Sequence, residues 1–230
     1  MTLISLIYKV LISAFGPQNW WPIDKKYHRK YRSDPRFEVI VGAVLTQNTS
    51  WSNVEKALTN LKSHNILTIQ KIASINIKKL KELIKPSGFF NQKALRIKNL
   101  SIYLYEYYDN NLNRFFKRDH HMVRKELLSL NGIGQETADS ILLYAGNYPI
   151  FVVDAYTKRL CQRIPIIASN SYNHIQNYFQ IRLRKIFPQK NLAHVYGEFH
   201  ALIVTLGKSY CKKKPLCTNC PLKFYCTYKK

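Results

Sequence analysis

Apolar residues recur along this chain at helical spacing far more often than at strand spacing. Phe37, Ile40, Val41 and Val44 form one stripe, Val54, Leu58 and Leu61 a second, and Leu127, Leu128 and Leu130 a third. Ala138, Ile141, Leu142 and Ala145 fall at i, i+3, i+4 and i+7, which share a face at 3.6 residues per turn. The opening run MTLISLIYKVLISAF places Leu3, Ile4, Ile7, Val10, Leu11 and Phe15 at the same spacing and predicts a docked amphipathic helix. Alternation of β-branched residues is brief and confined to 150–153. Gly, Pro and Asn breakers at 85–88, 131–134, 147–149 and 188–191 separate the stripes. The expected fold class is all-α, built from short helices joined by tight turns.

Charge changes the picture next. Lys and Arg number 36 against 13 Asp and Glu, a net charge of +23 spread over 230 residues. Such an imbalance opposes folding by self-repulsion, so it implies a polyanionic partner, with nucleic acid ahead of an acidic membrane surface. The N-terminal apolar run is too short to cross a bilayer and contains Lys9. It also lacks the basic start and the small-residue cleavage site of a secretory leader. These features exclude an integral membrane protein and imply a cytosolic one. Four of the five cysteines crowd into the last twenty residues. In a reducing compartment that clustering suggests a metal site more than disulfides.

The most telling block is LNGIGQETADSILLYAG…FVVDAYTKR, residues 130–159. Gly132 and Gly134 let the main chain turn sharply and admit a phosphate close to it, while the helix beginning near Gln135 brings its N–H groups and positive dipole end to the same place. Such a site, with Gln135 and Thr137 among its contacts, grips backbone and reads no base. Asp154 follows Gly134 by twenty residues, after the apolar exit. It can cap the helix that starts at Ala155, and next to a phosphate site its carboxylate can also serve a sugar carbon.

This block resembles the helix-hairpin-helix DNA glycosylases of the endonuclease III superfamily. The similarity extends over FEVIVGAVLTQNTSWSNVEKAL, PSGFFNQKA and the terminal cysteines, covering about 37–226. The resemblance implies base excision: duplex DNA is kinked, one damaged nucleotide is flipped out and its N-glycosidic bond is cut. It implies Asp154 as the catalytic carboxylate, stabilising an oxocarbenium-like sugar and orienting or deprotonating the attacking water. Members that also nick the strand carry a lysine two residues after the second hairpin glycine; here that position is Glu136, which cannot form a Schiff base. A monofunctional enzyme is therefore expected. Lys158 is a conceivable substitute nucleophile, but the helix after Asp154 is expected to turn it away.

Glu136, the tract NWWPI and the run LTQNTSW resemble most the 3-methyladenine glycosylase branch. That likeness implies an aromatic sandwich from Trp20 or Trp21, Pro22 and Trp51, suited to a cationic alkylated purine, with Lys208 reaching the pocket or a phosphate. It also implies Gln47 filling the hole left by the flipped base, and Asn91 and Lys93, in the turn at 87–94, meeting the opposite strand. Cys211, Cys217, Cys220 and Cys226 form C-x5-C-x2-C-x5-C. Four close thiolates suit a [4Fe–4S] cluster or zinc. The resemblance favours the cluster, although the first gap is one residue shorter than is usual in those relatives and the 3-methyladenine branch can lack the cluster. Lys212, Lys213, Lys214 and Lys223 would make the loop a basic DNA contact. Cys161 falls in a helical stripe and is expected to be buried.

Two helical domains are expected, with DNA in the cleft between them. One comprises 1–30 and 150–230 with the iron–sulfur loop at 211–226; the other, 31–149, is a helical barrel ending in the hairpin. The expected partner is double-stranded DNA containing a damaged base, bound by a monomer associated with the nucleoid of a bacterium or archaeon and with no membrane contact. Alternatives are a glycosylase for oxidised or mismatched pyrimidines and a non-catalytic helix-hairpin-helix module that holds DNA for another protein.

Overall fold

The computed structural model describes residues 2–228. Among these every regular element is helical, and they divide into two units: the residues up to Trp20 together with those from Asn147 onward, and Trp21–Gly146. Among the described residues no helix is long and apolar enough to cross a membrane.

The Trp21–Gly146 unit holds α2 (Lys25–Tyr31), α3 (Pro35–Leu45), α4 (Trp51–Ser63), α5 (Ile69–Ser74), α6 (Ile77–Ile84), α7 (Phe90–Tyr108), α8 (Leu112–Phe116), α9 (His120–Ser129) and α10 (Gln135–Ser140), the last continued by a π turn at Ile141–Ala145. Asp34 caps α3 and Pro35 occupies its first turn, where a missing N–H costs nothing. From Phe37 to Leu45 every residue of α3 is buried. A helix apolar all round belongs at the centre of a core, and α3 packs against α4, α7, α10 and the π turn. Its one buried charge, Glu38, accepts hydrogen bonds from the Asp24 N–H (3.0 Å), His28 Nε2 (2.9 Å) and Lys62 Nζ (3.1 Å). Burial pushes the Glu38 carboxyl up, and those partners outweigh it, holding it below the usual carboxylate range. The same contacts tie residues 24–28 to α3 and α4, so the division falls after Trp20 and not at residue 30 as the sequence suggests. The third predicted stripe also needs correcting: Val123 and Leu127 face the core, whereas Leu128 is exposed.

The other unit contains α1 (Leu3–Phe15), α11 (Ala155–Arg163), α12 (Tyr172–Arg184) and α13 (Leu192–Ser209). The α1 helix buries Ile4, Ile7 and Leu11 and packs on α12 and α13, with Tyr8 set edge-on to Phe187 and Phe199. Rings of Phe151, Phe179, Tyr196 and Phe199 meet in the core. Residues 150–153, where the sequence alternates, form no strand. Side chains satisfy this buried backbone instead: Phe151 N–H donates to Gln180 Oε1 (2.9 Å) and Gln176 Nε2 donates to Phe151 O (2.7 Å). That bracing delivers Asp154 to the head of α11. Cys161 is buried as expected, and burial pushes its thiol up to about 12.

Candidate active site

Asp154 is 8% exposed and caps α11. Its Oδ1 accepts from Thr157 N (2.7 Å) and Thr157 Oγ1 (3.0 Å), which leaves Oδ2 directed elsewhere, 3.6 Å from His200 Nε2. Burial raises its pKa, while His200 and the two Thr157 donors lower it further, so the carboxyl lies below its ordinary range. A buried carboxylate fixed by one oxygen and ionised at neutral pH can stabilise positive charge beside the other. His200 was not visible as a site residue, because a single His inside the apolar run FHALIVTLGK looks like core. Trp20 lies edge-on to His200, with ring centroids 5.9 Å apart, and Lys208 Nζ lies 5.9 Å from the Trp20 ring centroid. The structure thus brings Trp20 and Lys208 to the neighbour of Asp154.

Trp21 belongs to the other unit. Its indole rests on Gly42, where an added Cβ would come within 3.1–3.3 Å of the ring. It meets Trp51 (5.4 Å) and Tyr144 (5.3 Å) edge-on. Trp21 and Trp51 therefore share one aromatic cluster, with exposed Pro22 next in the chain. Tyr144, a member the sequence did not single out, projects from the π turn, an irregularity found often at functional sites.

The hairpin connects α9 to α10 through 130–134. Gly132 has φ +80, a conformation disfavoured for side-chain-bearing residues, and an added Cβ would run into the Arg96 side chain. Gly134 differs from the expectation of a second left-handed turn: at φ −90 and ψ 178 its backbone is ordinary, and open space lies where a Cβ would be. Ile133 anchors the turn in the core and Thr137 is buried, while Gln135 opens α10. Gln47 braces this turn. Its Nε2 donates to Gly132 O (3.1 Å) and Thr137 Oγ1 (2.9 Å), and its Oε1 accepts from Arg96 Nη1 (2.5 Å).

In the turn at 87–94, Asn91 is exposed, but Lys93 is not. Lys93 is 1% exposed and donates to Leu45 O (2.8 Å) and Ser87 O (2.7 Å), with burial bringing its pKa down to about 8. It caps carbonyls inside the unit and cannot press on a DNA strand. The exposed large side chain here is Phe89, 63% accessible on a left-handed backbone (φ 45).

Cys211, Cys217, Cys220 and Cys226 line one cavity of about 80 Å³ together with Arg163, Tyr210 and Leu216. Burial raises the Cys220 thiol, and the other three cysteines add to the shift by their proximity. Arg163, at the end of α11, donates to Cys211 Sγ (3.2 Å) and Lys212 O (2.8 Å), and its own carbonyl accepts from Thr227 N (3.0 Å). Among the described residues no three or more His, Cys, Asp or Glu side chains are gathered as around a single metal ion. Four thiols around one cavity are a donor set that either a [4Fe–4S] cluster or zinc could use.

Comparison with known proteins follows the same lines. Residues 41–185 match the model of the HhH-GPD superfamily of base excision DNA repair proteins. A protein of Methanocaldococcus jannaschii provisionally named a DNA repair glycosylase is 46% identical over 99% of this chain and 97% of its own length. Endonuclease III of Thermotoga maritima is 30% identical over 90% of this chain and 89% of its own. Among solved structures, the H. pylori 3-methyladenine DNA glycosylase bound to 1,N6-ethenoadenine superposes with a TM-score of 0.71 at 31% identity, covering 89% of this chain and 97% of that one.

Proposed function

The chain belongs to the HhH-GPD superfamily of base excision DNA repair glycosylases, and from that membership we propose that it hydrolyses the N-glycosidic bond of an alkylated purine such as 3-methyladenine, leaving an intact abasic site. The observation that carries this reading is Asp154: a buried, ionised carboxylate held at Oδ1 by Thr157, with Oδ2 directed to His200. As the C–N bond breaks, its electron pair leaves with the base and the sugar becomes cationic. A fixed negative charge placed there stabilises that state; for scale, removing a single preorganised electrostatic group such as an oxyanion-hole donor typically costs about 10²–10³ in rate. Water then adds to the sugar carbon and gives up its proton, with Asp154 as the positioned acceptor.

The aromatic residues support the substrate class. Trp20, edge-on to His200, and Trp21, edge-on to Trp51 and Tyr144, are the electron-rich rings at hand, and such rings favour a cationic base over a neutral one. Lys208 Nζ lies 5.9 Å from the Trp20 ring centroid; its ammonium would repel a cationic base on that face, so its contact is assigned to a phosphate. A base that already carries positive charge leaves readily, so recognition by charge suffices. The absence of strand cleavage follows from Glu136, an exposed acid in the first turn of α10 where strand-cutting relatives carry lysine.

DNA would be held by the Gly132–Gly134 turn with Gln135, while Thr137, buried and accepting from Gln47, supports the turn from within. Asn91 and Phe89 at the turn before α7 would meet the duplex, Phe89 as a wedge. Gln47 supports the hairpin directly, in keeping with a place beside the flipped nucleotide. The four terminal cysteines fit a [4Fe–4S] cluster, which when bound supplies four thiolate–iron bonds that fix the loop; zinc is the alternative. Lys212, Lys213, Lys214 and Lys223 are exposed around it and available to phosphates.

The test is a panel of duplexes carrying 3-methyladenine, 7-methylguanine, thymine glycol or a G·T mismatch, with released bases identified by chromatography. Release of the alkylated purines is expected. Release of only oxidised or mismatched pyrimidines would overturn the substrate assignment.

A further inference from the structure

The turn that precedes Trp20 is held by a single buried acid on α13. Glu198 is 3% exposed, and its two oxygens accept from successive backbone N–H groups: Oε2 from Gln18 N and Oε1 from Asn19 N, both at 2.6 Å. Asn19 adopts a left-handed backbone (φ 51). Thr205 Oγ1, seven residues along the same helix, donates to Gln18 Oε1 at 2.7 Å, and Gln18 Nε2 reaches back to the carbonyls of Phe15 and Gly16. The next residue is Trp20, set edge-on to His200, which in turn lies 3.6 Å from Asp154.

Burying a carboxylate costs several kcal/mol unless short, charge-assisted hydrogen bonds compensate for it. Here the compensation comes wholly from the two N–H groups of an otherwise irregular turn. Core packing does not need that turn, since α1 already seats Ile4, Ile7 and Leu11 before it. What the turn does fix is the direction in which Trp20 leaves it.

We propose that Glu198 is a positioning residue for base recognition: by clamping the Gln18 and Asn19 amides it holds the Trp20 indole beside His200 and Asp154. The role rests on the glycosylase reading of that site. Glu198 touches neither the base nor the sugar, so its loss loosens the recognition surface and leaves the Asp154 chemistry in place.

Two measurements test it, one independent of activity. In a Trp21→Phe, Trp51→Phe background Trp20 is the sole tryptophan, and its fluorescence is followed without DNA. Glu198→Ala should make Trp20 at least about threefold more accessible to acrylamide and lower its anisotropy, and Glu198→Gln, which keeps one acceptor, should fall between. In the native background, Glu198→Ala should raise KM for a lesion duplex about tenfold with kcat within about threefold, and Glu198→Gln should recover part of the loss. Unchanged Trp20 quenching in both variants, or a loss confined to kcat, would overturn the proposal. Should Glu198→Ala fail to fold, Glu198→Gln alone decides the matter by the same two readouts. If the wild type were inert on every lesion duplex the glycosylase reading would fail, while the fluorescence result would still decide whether Glu198 holds Trp20.

Discussion

Asp154 caps α11 and, in the proposed mechanism, also supplies the charge beside the cationic sugar, and the two tasks can be separated. As an N-cap it satisfies Thr157 N, and asparagine does this about as well. As a charge beside a cationic sugar it has no neutral substitute. Asp154→Asn should therefore keep the fold, with a Tm within a few degrees of wild type. Because the folded pKa of Asp154 is depressed below 3.8, its contribution to stability is present above the unfolded value and is lost as pH falls through the folded one. Glu38 behaves with the same sign. Urea midpoints should thus hold steady from pH 7 to about 5 and fall below about 4. Asp154→Asn should show a smaller acid loss than wild type; an equal loss would mean that the Asp154 pKa is not depressed. A catalytic role for Asp154 rests on the family resemblance, whereas Asp154 as the cap of α11 and the four cysteines as one cluster could be read from local spacing. His200 and Glu198 could not, since the Glu198–Gln18 bond joins residues 180 apart and no periodicity records such a pairing.

At the scale of elements, the two glycines of the hairpin make opposite demands on a side chain. Gly132→Ala meets both a positive φ and the Arg96 side chain, so it should cost about 1–2 kcal/mol or more and weaken DNA binding whatever the base. Gly134→Ala has room and an ordinary backbone. It should leave Tm unchanged yet still weaken binding, because a methyl group would stand where a phosphate approaches. Circular dichroism melts paired with Kd values on undamaged duplex would separate the two. If Gly134→Ala bound normally, the close phosphate approach would be wrong. In the loop, Arg163→Leu removes the donors to Cys211 Sγ and Lys212 O. Iron and acid-labile sulfide per chain should then drop by half or more, and full retention would show that Arg163 does not hold the loop. The stripes of α1 and α4 were legible because each buries one regular face, whereas α3 is buried on every side from Phe37 to Leu45. Leu128 was misplaced because α9 buries a single face, through Val123 and Leu127, and spacing alone did not choose between Leu127 and its neighbour.

For the molecule as a whole, charge and family membership speak together. A chain of net charge +23 that grips DNA through its backbone should lose affinity steeply with salt. Between about 50 and 200 mM salt, Kd for undamaged duplex should weaken by roughly 100-fold or more, as neutralised phosphates regain counterions. A flat salt response would remove nucleic acid as the explanation of the charge. The all-α class and the order of hairpin, acid and cysteines followed from the sequence. The division after Trp20 did not, because it depends on the buried Glu38 network, whose members are spread from Asp24 to Lys62. The central claim is that Asp154 hydrolyses a glycosidic bond and the enzyme stops there. It is tested most directly by a single-turnover reaction on a 3-methyladenine duplex, scoring free base and strand breaks with and without alkali. Wild type should release the base and break the strand only after alkali, and Asp154→Asn should bind equally but release base at least about 100-fold more slowly. Base release at the wild-type rate by Asp154→Asn, or strand breaks without alkali, would contradict the account.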